Sequence, residues 1–211
     1  MKNFLLCVMA LLLIGGMPVS AQNKQLEKAR KKEYKTKMKE YKNEGWKVFG
    51  TSRSLDVALL THYEKLNHDG VYEVVGIASA FKSKNVGKQM ALNSACTFYA
   101  SKAGSKVQGR VASDLYGDGT TGNGEFDRFY AAYERLVEKE IKGEMQESYS
   151  IIRDNGNGSF EMQTYFVISE DAATKARLRA YENALKESEA AQKYADKVSD
   201  FIKEGFNPNE E

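Results

Sequence analysis

A chain of 211 residues carries 31 Lys and Arg against 29 Asp and Glu, a formal net charge of +2, and 42 % of it is hydrophobic. The charge is close to balanced, and the length suffices for one domain with helical extensions. Two cysteines and two histidines exclude a disulfide framework and offer no Cys/His spacing that suits a metal.

The first segment reads as an export signal. Lys2 precedes an apolar run from Phe4 to Met17, and Pro18-Val19-Ser20-Ala21 follows with small residues at Val19 and Ala21. This three-part pattern predicts a cleavable signal peptide over residues 1–21, cut between Ala21 and Gln22. The run is short of the roughly 20 apolar residues that cross a bilayer as a helix. Cys7 follows only Phe4, Leu5 and Leu6 within the apolar stretch, so it does not make a lipobox. Cys96 is then the only mature cysteine, and an ordinary core must hold the chain together. The expected destination is the periplasm or the extracellular space, with outer-membrane association included. No later stretch is long and apolar enough to span a membrane.

Residues 22–44 form a basic helical arm. Lys24, Lys28, Arg30, Lys31, Lys32, Lys35, Lys37, Lys39 and Lys42 outnumber Glu27, Glu33, Glu40 and Glu44. Only Leu26, Tyr34, Met38 and Tyr41 give it an apolar stripe. Such a helix suits solvent or peripheral contact with an anionic membrane surface more than insertion. Export argues against nucleic acid as a partner.

The α+β domain is expected over residues 45–169. Trp46–Gly50 reads as a short strand, and Ser54 caps a helix with Leu55, Ala58, Leu59, His62, Tyr63 and Leu66 at helical spacing. Val71–Phe81 reads as a strand whose Gly76, Ala78 and Ala80 admit close approach by another element. A small-residue helix follows over Asn85–Lys102, with Cys96 in its buried stripe. Gly104 is expected to stop it, with Lys106–Leu115 extended and Gly117–Gly124 a loop. Glu125–Ile141 is amphipathic. Glu144–Arg153 and Ser159–Ser169 are strands joined by Asp154-Asn155-Gly156-Asn157-Gly158, a strong hairpin signal. Phe160, Met162, Thr164, Phe166 and Ile168 share one face, with Tyr149 and Ile151 across from it. Residues 170–204 are expected to form one long C-terminal helix with an Ala-rich stripe, ended by Gly205, with 205–211 as a tail.

The strand Val74-Val75-Gly76-Ile77-Ala78 and the helix Met90-Ala91-Leu92-Asn93-Ser94-Ala95, followed by a strand, a loop and antiparallel strands, form a pattern over about residues 71–168. It resembles the bacterial envelope family of the lipoprotein-20 and flagellar P protein type. The resemblance implies a small exported envelope protein without known catalysis, and it brings no catalytic residues to transfer. The missing lipobox is a departure, so lipid anchoring does not carry over.

Several candidate chemistries have a trace in the sequence. Asp114–Glu125 has Asp114, Asp118 and Glu125 at first, fifth and twelfth places of a calcium loop, but Tyr116 stands at the third. It reads as a chance match, so no metal is assigned. Val86-Gly87-Lys88-Gln89 lacks the glycine and the Ser/Thr of a phosphate loop. His62 and His68 have no nucleophile or metal partner at a telling spacing. Glu161 and Glu170 are an example of a carboxylate pair for a periplasmic hydrolase. Phe129, Tyr130, Phe160 and Phe166 would line the pocket of a small-ligand binding protein. The reading adopted is a non-catalytic exported envelope protein with no catalytic residue and no cofactor, binding an envelope partner or itself. The hydrolase and the small-ligand binder are its alternatives. The fold class is α+β, a mainly antiparallel sheet with covering helices, a basic N-terminal helix and a long C-terminal helix.

Overall fold

A computed structural model describes residues 19–116 and 126–209. The signal stretch 1–18 and the Gly117–Gly124 loop lie outside the described residues. The chain divides into two units, one ending at Asn43 and the other Glu44–Glu211.

The described part of the first unit is one helix, α1 (Val19–Asn43), which takes in the predicted junction at Ala21 and Gln22. Charge spacing supports it locally. Lys31 meets Glu27 at 2.6 Å and Lys37 meets Glu33 at 3.6 Å, both four residues apart on one side of the helix.

The second unit is built on a four-stranded antiparallel sheet in the order β1-β3-β4-β2. Its strands are β1 (Lys47–Phe49), β2 (Val71–Phe81), β3 (Gln146–Asp154) and β4 (Phe160–Ser169). Between β1 and β2 lies α2 (Leu55–Lys65), whose first turn is capped by the Ser54 hydroxyl accepting from the Val57 N–H. The β3–β4 turn is held by its own side chains. Asp154 accepts from the Gly156 N–H at 2.8 Å, Asn157 accepts from the Ser159 N–H at 3.1 Å, and Gly156 and Gly158 take positive φ.

Alternation sorts the strands into two faces. One face carries Tyr72, Val74, Gly76 and Ala78 opposite Ile168, Phe166, Thr164 and Met162, with Ser150 and Ile152 beyond them. Tyr149 pairs with Tyr165 and Ile151 with Gln163, which places both on the other face. The first face meets the helical layer of α3 (Lys84–Tyr116), α4 (Asp127–Ile141) and α5 (Glu170–Ala184). Gly76 is the point of closest approach. A Cβ there would fall on the backbone carbonyl of Ala91 in α3, which no rotamer change relieves. Gly76→Ala is therefore expected to cost about 3 kcal/mol of stability, measured as a lowered denaturant midpoint. An unchanged midpoint would mean that α3 packs farther from β2.

Two expectations are corrected. Gly104 does not stop a helix, and Lys106–Leu115 is not extended, because α3 runs without a break to Tyr116. Ala100, Ala103, Val107 and Val111 continue its buried stripe at three- and four-residue steps. Burial of the two valines outweighs the roughly 1 kcal/mol helix penalty of an interior glycine. Gly104 itself sits where a Cβ would come 3.4 Å from the Glu134 carboxylate of α4, so it marks a helix contact instead of a stop.

The C-terminal segment 170–204 is helical with its Ala stripe inward, but it is divided instead of continuous. After α5 comes a single 3-10 turn, Leu185–Glu187, then α6 (Glu189–Lys193) and α7 (Ala195–Lys203). Ser188 is extended and its hydroxyl accepts from the Ala191 N–H, starting a new helix. The Tyr181 hydroxyl then donates to the Ala195 carbonyl at 2.6 Å, folding α7 back on α5. This break brings Val198, Phe201 and Ile202 into the same core as Ala173, Ala176 and Ala180.

Candidate functional site

The polar chemistry of the interior gathers where β2, α3, α4 and α5 meet. Ser169 ends β4 and caps α5, so Glu170 stands in the first turn of that helix beside the start of β2. Thr174 and Arg177 follow at four and three residues on the same side. Arg177 is only 1 % exposed, and its guanidinium donates to Glu170 Oε1 at 2.5 Å, to Thr174 Oγ1 at 2.7 Å and to the Tyr99 hydroxyl of α3 at 2.5 Å. Tyr72 of β2 donates to the other Glu170 oxygen at 3.0 Å. The segment after α7 closes the cluster: the Phe206 N–H donates to Glu170, and the Phe206 ring lies 5.1 Å from the Arg177 guanidinium. Lys106 of α3 donates to the Gly205 carbonyl at 2.6 Å.

The electrostatics follow from burial. Burial works against the Arg177 charge, but the hydrogen bond to Glu170 and the neighbouring oxygens of Tyr99 and Glu170 outweigh it, so its pKa is raised. Burial also pushes the phenols of Tyr72, Tyr99 and Tyr133 above their ordinary range, and the Glu170 carboxylate adds to each. These tyrosines stay protonated at neutral pH and serve as hydrogen-bonding groups. The charged atoms face one another, so the cluster ties strand to helices.

A second polar group lies on the other face of the sheet. His62 of α2 is 1 % exposed, and its Nε2 stands 2.7 Å from the Glu73 carboxylate of β2. A carboxylate only accepts, so Nε2 carries the proton. Tyr149 and Tyr165 stack at 4.4 Å, and both meet the imidazole edge-on.

The candidates read from the sequence are dispersed. Glu161 lies near the start of β4 and is paired with Arg153 at 2.8 Å, which also reaches Glu44 at 2.9 Å. Glu170 lies past the other end of that strand. Nine extended residues separate them by roughly 30 Å, whereas a carboxylate pair for glycoside hydrolysis needs about 5–9.5 Å. Cys96 is buried with its sulfur 3.9 Å from that of Met145, and burial pushes its thiol up to about 11. His68 is exposed in a turn. Asp114 is on the exposed last turns of α3, bound by Arg110 at 3.1 Å and by the Ser113 hydroxyl at 2.6 Å. Its neighbourhood is helical, while Asp118 and Glu125 lie outside the described residues. Among the described residues no three His, Cys, Asp or Glu side chains stand where they could hold a metal ion. Phe129 and Phe166 are buried in the core, and Phe160 packs against Phe81 under the Lys84 ammonium, so these rings fill space between elements. Gly87 belongs to close packing, since a Cβ there would strike the Phe81 ring.

Arg177, Tyr72, Tyr99 and Tyr133 carry no motif in the sequence. The one local signal is the spacing Glu170, Thr174, Arg177, a polar line set inside an alanine stripe. No family model matches the chain, and no curated protein or solved structure matches it either.

Proposed function

We propose that this chain is an exported, non-catalytic protein of the bacterial cell envelope with a binding or structural role, and that α1 is its contact with anionic envelope surfaces. The observation that carries the reading is the basic arm: Lys28, Arg30, Lys31, Lys32, Lys35 and Lys39 are all exposed on α1. A positive helix of this kind attracts anionic headgroups without inserting. No helix among the described residues is long and apolar enough to cross a membrane. The signal-like segment 1–21 supports export. The internal pairing of Glu161, Glu170, His62 and Arg177 supports a structural use of those groups. The resemblance to the lipoprotein-20 type points the same way through β2, the Ala-spaced α3 and the β3–β4 hairpin, although its expected third element is helical.

Cell fractionation with N-terminal sequencing tests the proposal. The expected result is a chain starting at Gln22, sedimenting with envelope membranes at low salt and released by about 0.5 M salt, where the Debye length has fallen below about 5 Å. A full-length chain in the cytosol, or a processed chain indifferent to salt, overturns it.

A further inference from the structure

We propose that the junction of α3, α4, α5 and the C-terminal segment is the binding site of one structural water molecule, bridging Tyr133 Oη and Arg177 Nε. A cavity of about 10 Å³ lies there, lined by Val107 of α3, Tyr133 of α4, Arg177 of α5, Phe201 of α7 and Phe206. Tyr133 and Arg177 are 0 % and 1 % exposed. Their Oη and Nε atoms are buried and make no hydrogen bond within the described protein. Native folds rarely leave one such atom unmet. Two on the wall of the same cavity point to a shared bridging molecule.

Size and charge select its identity. A volume of about 10 Å³ open to the centre of a water-sized sphere is enough to hold one ordered water. The Arg177 N–H donates to the water oxygen, and the Tyr133 hydroxyl, kept protonated by burial, either accepts from the water or donates to it. A halide would also accept from both groups. However, Glu170 already balances the Arg177 charge, and chloride is larger than water. The bridge joins α4 to α5 at a place where they share no direct polar contact through these two atoms.

The test combines a variant with a crystal structure. If the cavity is dry, Tyr133→Phe deletes an unpaired buried hydroxyl, and the melting temperature stays or rises. If the bridge is present, the variant strips the water of a partner, and the melting temperature falls by about 2–4 °C. Crystals of the wild-type protein diffracting well enough to resolve ordered water are expected to show a density peak within hydrogen-bond distance of both atoms, and those of the variant to lack it. An unchanged or higher melting temperature overturns the proposal, as does an empty cavity in the wild-type crystal. Crystals grown in bromide add a further arm, since an anomalous peak in the cavity would assign the site to an anion. Should the variant not fold, the wild-type density decides alone.

Discussion

Replacing Glu170 by alanine is expected to lower the unfolding free energy by about 3–5 kcal/mol. The variant leaves Arg177, whose guanidinium stays protonated in proteins, at a site with 1 % exposure and without its anion. It also removes the acceptor used by the Tyr72 hydroxyl, by the Thr174 hydroxyl and by the Phe206 N–H. Lys106, held at the Gly205 carbonyl, adds a second positive charge close by. The Tyr99 hydroxyl and the Ile202 carbonyl accept from the guanidinium but cannot neutralise it. Chemical denaturation monitored by circular dichroism reads the loss. Glu170→Gln, which keeps one acceptor oxygen, turns the other into a donor and loses the charge, is expected to fall between the wild type and alanine. A second control is the double variant Glu170→Gln with Arg177→Met, which removes both charges. It is expected to recover much of the loss, because a buried pair deleted as a unit is far less costly than one broken in half. A loss below about 1 kcal/mol for Glu170→Ala would equate the pair with an exposed salt bridge, and the cluster would then be no anchor of the fold.

The division between what could and could not be read from the sequence runs along the range of the signals. The β3–β4 turn was legible because the side chains that hold it, Asp154 and Asn157, lie within the turn itself. The small residues of β2 were legible in part: Gly76 and Ala78 announce a close neighbour without saying which one, whereas Ala80 is exposed, with positive φ, at the irregularity between Ala78 and Phe81. Gly104 was not. An interior glycine and a terminal glycine are the same letter, and the difference is Glu134 on another helix. The break at Ser188 had a local trace, a serine followed by Glu189 in the new first turn, but the regular alanine spacing on either side concealed it. The Arg177 cluster was hidden for both reasons. Its spacing from Glu170 is local, yet Tyr72 and Tyr99 arrive from far earlier in the chain. Cys96 and His62 were placed correctly inside, because a helical stripe reports burial. It does not report that His62 faces Glu73 across the gap to β2.

The same buried phenols make stability fall steeply in alkali. In the unfolded chain a tyrosine loses its proton near pH 10. Tyr72 and Tyr133 keep theirs well beyond that when folded, through burial first, with Tyr99 and Glu170 adding smaller contributions; at Tyr133, as at Tyr99, burial prevails over the opposing influence of Arg177, and the Tyr99 phenol is raised as well. Above pH 10 the unfolded state therefore binds fewer protons than the folded state, and the unfolding free energy decreases as pH rises. Each such phenol contributes about 1.4 kcal/mol per pH unit, so Tyr72 and Tyr133 together give about 3 kcal/mol per unit, to which Tyr99 adds in the same direction. Cys96, whose thiol is held up to about 11, begins the decline earlier, between its ordinary value and that one. Denaturant midpoints taken from pH 8 to 11.5 are expected to hold nearly level at first and then drop sharply past pH 10. Tyrosinate absorbance followed alongside separates the causes. Tyr72 and Tyr133 are expected to ionise only in the unfolding step, so part of the tyrosinate signal should appear together with the loss of structure. Tyr72→Phe should reduce the alkaline slope by about 1.4 kcal/mol per unit, whatever it does to stability at neutral pH. A slope that Tyr72→Phe leaves unchanged, or complete tyrosine ionisation ahead of unfolding, would mean that the phenols around Arg177 exchange protons with solvent in the folded state. The cluster would then be open to water, and the tie between β2, α3 and α5 correspondingly loose.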